Sequence, residues 1–384
     1  MTPPQADLYR GLGASYIRSI LSVERPIDAS SKPMNTPAVA KSFSASQSVG
    51  QAEFEPHGGD IDTVSKRYPN APRPWIDLST GINPFAYPIP PLPADVWSRL
   101  PLREEDAELR CKAAHRHGAV DLDHVVSAPG TQSLIQVIPR LKEPTDVAII
   151  GPTYREHIRC WARMGHAVRV IGELDEIDNA NVVVIVNPNN PTGRHYEPRQ
   201  LLSVAEDMAR RQGLLLVDEA FADFLGADQS LGPLQPPSTI ILRSFGKTYG
   251  LAGLRLGFAI AEPGVASVLR SWIGPWAVSG PAIAIGCRAL EDTGWLISAR
   301  DRLANCARRL DGLLAVAKCN IVGATPLFRL AEHPRAESVA HTLAHAGIHV
   351  RQFPDQRTWL RFGIPSDAAL QRLEAALSTL PDAT

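Results

Sequence analysis

One lysine stands in a turn built largely of small residues. In SFGKTYGLAGLRLG, residues 244–257, Lys247 follows Ser244 and Gly246 and precedes Arg255, so a hydroxyl, an amine and a guanidinium fall within one short stretch. A lysine in a Gly-rich loop can hold phosphate as a P-loop does. That motif needs a glycine five residues before its GK pair, and this chain has Ile241 there, so the P-loop reading fails. The lysine needs another use.

An amine at a sheet edge beside phosphate-binding groups can form a Schiff base with pyridoxal phosphate, and other residues suit that use. Ser244 and Arg255 flank the lysine and can bind a cofactor phosphate, the arginine as a fork of charge-assisted donors. Gly130, Thr131 and Gln132 in SAPGTQSLIQVI stand where a strand is expected to meet a helix and offer a second anion cradle. Asp218, ending GLLLVDEAF, can pair with a pyridine nitrogen and keep it protonated, which makes the ring an electron sink. Asn190 in NPNNPTG can hydrogen-bond a phenolic oxygen, and Tyr154 in GPTYREH can stack on a ring face. Duller roles compete: a solvated loop lysine, a helix-capping Asp218, a core Tyr154. His341 and His345, four apart on an expected helix, have metal-ligand spacing but no third ligand, and no metal is expected.

Such residues lie far apart in sequence, so a fold must gather them. The runs DVAIIGP, NVVVIVNPNNPTG, GLLLVDEAF and TIILRSFGK are short, apolar on both faces and polar at their C-terminal ends. That texture predicts an α/β protein with a largely parallel sheet, whose carboxyl edge is where ligands bind. Residues 101–290 are expected to form the large, cofactor-binding domain. The helical pattern SARDRLANCARRLDGLLAVA and the strands GIHVRQF and TWLRFGI predict a smaller α+β domain over 291–384. The proline-rich stretch YPNAPRPWIDLSTGINPFAYPIPPLP predicts an extended strap within 57–100, and residues 1–56, rich in Ser, Pro, Ala and Thr, a flexible extension.

Composition narrows the class. With 384 residues and 44% hydrophobic content the chain can bury a large core, and its 39 basic and 40 acidic side chains give a net charge of -1, which favours neither nucleic acid nor an anionic membrane. Five cysteines without a CxxC pair fit reduced thiols in a cytoplasmic protein. No run approaches the length of a membrane helix, and MTPPQADLYR lacks the layout of a signal peptide.

NPNNPTG, VDEAF, SFGK and GLAGLRLG, in this order and spacing, resemble the fold type I pyridoxal-phosphate enzymes of the aminotransferase class I/II superfamily over roughly residues 57–370. The resemblance implies pyridoxal 5'-phosphate on Lys247, Asp218 at the pyridine nitrogen, Asn190 at the phenolic oxygen, Ser244 and Arg255 at the phosphate, and Arg361 in WLRFGIP as anchor for a substrate carboxylate. Within the superfamily, HGGDIDTVSKRYPNAPRPWIDLSTGINP resembles the signature of threonine-phosphate decarboxylases, which make aminopropanol phosphate for the cobalamin side chain. That resemblance implies a phosphorylated amino-acid substrate. Its phosphate holders are expected among His57, Gly58, Gly59 and Arg194, with Asn83 also in the substrate-binding set. Histidinol-phosphate aminotransferase is the alternative, and a regulatory ligand sensor is disfavoured because residues 1–56 carry no helix-turn-helix pattern or basic cluster. Two departures stand out: Phe221 follows DEA where tyrosine is frequent, and Leu100–Pro101 stands where a YP pair reaches the partner subunit's cofactor. A homodimer with its active site near the interface is expected.

Overall fold

The computed structural model describes residues 58–380; His57 and the expected extension over 1–56 lie outside the described residues. The strands β2 (Val125–Ala128), β3 (Asp146–Ile150), β4 (Ala167–Ile171), β5 (Val182–Val186), β6 (Leu214–Asp218), β7 (Thr239–Ser244) and β8 (Gly257–Ile260) form one seven-stranded sheet in the order β2-β8-β7-β6-β5-β3-β4. From β4 through β7 the pairs are parallel, and β8 runs antiparallel to both β7 and β2. Every residue of β5 (VVVIV) and β6 (LLLVD) is buried, which explains why neither alternates polar with apolar: helices cover both faces. One cluster on this sheet includes Ile135, Ile149, Trp161, Val184 and Leu216.

The connecting helices carry legible start and stop signals. α3 (Arg103–His117) ends at Gly118 with φ +77, a left-handed position that glycine enters at no steric cost. Preceding it are α1 (Ile61–Arg67) and α2 (Asp95–Ser98), and after it come α4 (Thr131–Val137), α5 (Arg155–Arg163), α6 (Pro198–Arg210), α7 (Phe245–Thr248) and α8 (Pro263–Ile273). Ser279 caps α9 (Gly280–Glu291), and the Asp292 side chain accepts the Trp295 amide at 2.8 Å to start α10 (Thr293–Val316).

A second, five-stranded sheet has the order β1-β11-β12-β10-β9, from β1 (Ile76–Leu78), β9 (Asn320–Thr325), β10 (Phe328–Glu332), β11 (Ile348–Gln352) and β12 (Trp359–Gly363). α11 (Ala336–His345) and α12 (Asp367–Leu377) pack with α10 on a core that includes Leu310, Phe328, Leu343, Phe362 and Leu373. The sequence pattern identifies β11 and β12; β9 and β10 are added by the structure, since half of NIVGAT is exposed and the run shows little apolar texture. β1 belongs to the strap, yet it pairs in parallel with β11, so this sheet is completed by residues from the far end of the chain.

Candidate active site

The carboxyl edge of the large sheet gathers the chemistry. β5 ends beside Asn187, β6 on Asp218 and β7 on Ser244, with Lys247 one turn on in α7, and the Asn187 amide donates to the Asp218 carbonyl at 2.9 Å. Asp218 is buried, and its Oδ2 lies 2.9 Å from Nε2 of the fully buried His157 while its Oδ1 accepts the Ala220 amide at 3.0 Å. Burial favours the neutral acid, but His157, Lys247 and that amide prevail and hold the carboxyl below its ordinary range. His157 is the residue that sequence reasoning overlooks. Its signal is its place three residues beyond Tyr154, on the first turn of α5 facing the sheet.

Lys247 sits among three charged side chains. Loss of water lowers its ammonium pKa, Asp218 pulls it back up, and Arg361 and Arg255 add to the depression. Its Nζ stands 5.0 Å from the centroid of Phe221, the residue that replaces the frequent tyrosine, and that ring packs edge-on against Phe328 at 5.2 Å. The floor under the amine is therefore apolar.

Around the lysine the backbone closes into a cradle. Ser244 pairs in register with Gly257, where a Cβ would lie 2.6 Å from the Thr131 amide nitrogen; Gly130 has φ +80, and its Cβ would meet Arg255 Nη2 at 2.6 Å. Two glycines thus let β8, the β2–α4 turn and the Arg255 guanidinium converge on one spot with Ser244. Gln132 is engaged differently from its neighbours. Its Oε1 accepts the Tyr154 hydroxyl at 3.1 Å and its Nε2 donates to Glu156 at 2.9 Å, so it orients the tyrosine. Burial pushes the Tyr154 phenol up to about 12, which keeps it neutral and a donor.

On the small-sheet side, Arg361 is buried in β12. It donates through Nη1 to Asn190 Oδ1 and through Nη2 to the Ser79 carbonyl at 2.7 Å, leaving Nε buried with no partner. Burial lowers its pKa to about 10, with neighbouring Arg351 adding to the shift and Asp77 opposing it. Arg351 is the cross-strand partner of Arg361 in the β11–β12 register, a second cation that the alternation of IHVRQF makes legible only once the pairing is known.

Two residues of the expected substrate-binding set bond within the protein. Asn83 spends its side chain on the backbone: Nδ2 donates to the Thr248 carbonyl at 2.9 Å, Oδ1 accepts the Phe85 amide at 2.9 Å, and its own amide donates to the Lys247 carbonyl at 2.9 Å. A buried amide so placed holds the lysine turn rather than a ligand. Arg194 points to Gly172 O at 2.6 Å and to the Glu173 carboxylate, and lies over Tyr196, so a protein carboxylate already takes the fork assigned to a phosphate. Gly58 and Gly59 do approach the site, against Ser79. His341 and His345 stack edge-on with Tyr68, and among the described residues no three His, Cys, Asp or Glu side chains gather as a metal site.

The lysine with its depressed amine, the histidine-held carboxylate, the glycine-lined cradle with Arg255 and the unpartnered Arg361 Nε fit a phosphorylated aromatic aldehyde carrying an anionic amino acid. The model of the family "Aminotransferase class I and II" matches residues 95–377. The threonine-phosphate decarboxylase of Pseudomonas aeruginosa is 40% identical over 325 residues, covering 84% of this chain and 96% of that protein. The enzyme of the same name from a Sinorhizobium species is 42% identical over 324 residues, covering 82% and 95%. Among solved structures, the histidinol-phosphate aminotransferase of Sinorhizobium meliloti, in complex with pyridoxal-5'-phosphate, superposes with a TM-score of 0.75 at 21% identity, covering 88% of this chain and 97% of that one.

Proposed function

This chain belongs to the aminotransferase class I and II family, and on that premise we propose that it is a pyridoxal-phosphate enzyme that decarboxylates L-threonine O-phosphate to aminopropanol phosphate, the reaction that serves cobalamin biosynthesis. One observation carries the reading. A depressed lysine and a histidine-held carboxylate meet at the carboxyl edge of the large sheet, and a buried arginine reaches Asn190 there from β12, in a chain 40–42% identical to proteins named threonine-phosphate decarboxylases.

Pyridoxal 5'-phosphate, when bound, supplies a protonated ring that accepts the electron pair left when a bond at Cα breaks. Lys247 is the residue that would hold it covalently. Asp218 would pair with the ring nitrogen and keep it protonated, and His157 holds the carboxylate in place through Oδ2. Ser244, Arg255 and the Gly130 and Thr131 amides would take the cofactor phosphate, Asn190 the phenolic oxygen, and Tyr154 the ring face. Arg361 turns the substrate carboxylate, and the strap glycines hold the substrate phosphate, with His57 assigned there too. Holding the substrate at both ends would orient its Cα–carboxylate bond, rather than Cα–H, for cleavage. Lys247 Nζ, freed when the substrate amine displaces it, would donate a proton to Cα once carbon dioxide has left.

Incubation with threonine phosphate and no keto acid tests the reaction: carbon dioxide and aminopropanol phosphate are expected. Glutamate formed from histidinol phosphate and 2-oxoglutarate, with no carbon dioxide from threonine phosphate, would overturn it in favour of a transferase.

We also assign a cytoplasmic homodimer with the site near its interface. Trp97 at 67%, Leu100 at 60% and Trp276 at 59% exposure leave large apolar side chains in water, a composition that suits a partner surface. Light scattering should give twice the 41.6 kDa chain mass, and an active monomer would refute the assignment. Among the described residues no helix is long and apolar enough to cross a membrane.

A further inference from the structure

Ser79 has no exposed surface, and every polar atom it owns is committed. Its amide and its hydroxyl both donate to Asp77 Oδ1, at 2.8 and 2.5 Å; its Oγ accepts the Gly59 amide at 2.8 Å; its carbonyl accepts Arg361 Nη2 at 2.7 Å. One residue therefore touches both the strap glycines and the buried arginine. We propose that Ser79, oriented by Asp77, is a positioning residue that fixes the separation between the two anion-holding ends of the site, and so selects a substrate carrying a second anion. This rests on the decarboxylase reading above.

The hydroxyl chemistry makes the arrangement directional. A serine hydroxyl has one proton, and an ionised carboxylate can only accept, so the proton is drawn to Asp77 and a lone pair is left facing Gly59. Asp77 is the middle residue of β1, in register with His349 of β11, and this pairing anchors the device to the small sheet that carries Arg361. The strap passes so close that a Cβ on residue 58 would lie 2.5 Å from the Ser79 carbonyl oxygen, and Gly59 has φ +92, so only glycines fit both positions. The Gly59 amide is spent on Ser79 Oγ, so an anion at this end is met by the rest of the strap, and Ser79 fixes how far the strap stands from an anion on Arg361. A substrate lacking the second anion gains nothing from the strap end.

The test compares holoenzyme of the wild type, Ser79→Ala and Asp77→Asn, with threonine phosphate and unphosphorylated L-threonine as ligands. Loss of one such link is expected to raise KM for threonine phosphate on the order of tenfold with kcat less affected, and to leave the weak response to L-threonine unchanged. Hydrogen exchange of the peptide spanning residues 58–67 is expected to speed up in both variants, and saturating threonine phosphate is expected to slow it in the wild type far more than in either variant. If Ser79→Ala does not fold, Asp77→Asn carries the same comparison. KM within twofold of wild type, equal losses on both ligands, or unchanged exchange in the strap peptide would each overturn the positioning role. A wild type that gives no carbon dioxide from threonine phosphate would instead sink the decarboxylase reading, while the exchange comparison still decides whether Ser79 orders the strap.

Discussion

Lys247 is surrounded by charges of both signs, and their balance sets its reactivity. Burial, Arg361 and Arg255 lower its pKa while Asp218 raises it, so after removal of the cofactor the amine should become neutral, and nucleophilic, at lower pH than surface lysines. Competitive acetylation read by mass spectrometry across pH measures this directly. In Asp218→Asn the one raising influence is gone, and the labelling midpoint should fall further; a midpoint at or above the wild-type value would show that the carboxylate does not act on the amine. The residues most legible beforehand are those, like Lys247 and Asp218, whose type is rare in their setting. Asn83 and Arg194 misled because a side chain's type says nothing of what its own fold already offers it: a carbonyl in one case, Glu173 in the other.

At the scale of elements, the cradle depends on three segments approaching more closely than side chains permit. Gly257→Ala would set a Cβ 2.6 Å from the Thr131 nitrogen, a backbone atom that cannot rotate away. Overpacking of this kind costs about 1–3 kcal/mol, which here falls on the proposed phosphate cradle rather than on the core. Cofactor affinity should weaken roughly 5- to 150-fold, by the conversion of about 1.4 kcal/mol per decade, in an absorbance titration of the apoprotein. Far-ultraviolet dichroism should stay as in wild type. Unchanged affinity would mean that β8 can yield without disturbing the cradle. The lysine turn has a comparable brace in the Thr248 hydroxyl, which donates to Asp223 Oδ2 at 2.5 Å, while Arg243 bridges Asp223 and Glu219 beneath it.

For the whole molecule the same buried network sets a pH limit. His117 is buried beside Arg243 and Asp223, and burial lowers its pKa from 6.5 to about 3. Below pH 6.5 the unfolded chain takes up a proton at this residue that the folded chain refuses, so stability falls as pH drops through that window towards 3. His333 and His349, also lowered by burial, act in the same direction. Asp223, lowered to about 2, adds stability above pH 3.8 that is lost at still lower pH. The melting temperature should therefore decline on acidification from pH 6.5, and less steeply in His117→Gln. An identical slope in the variant would assign the acid loss to other groups.

The sequence by itself determined the parallel sheet, because strands buried on both faces must be apolar throughout, and it brought forward the proposed cofactor residues, because their chemistry is local: an amine in a small-residue turn, a carboxylate at a strand end. It also placed β11 and β12, as GIHVRQF and TWLRFGI. What only the tertiary structure decided is partnership. β1 joins a sheet whose other strands begin at residue 320, and the pairing of Arg351 with Arg361 follows from a register that no local pattern encodes. The bond from Arg361 to the Ser79 carbonyl spans 282 positions of chain. His157 and Ser79 read as ordinary residues until the fold sets one against Asp218 and the other between Gly59 and Arg361, since hydrogen bonds are decided by distance in space and not by spacing along the chain.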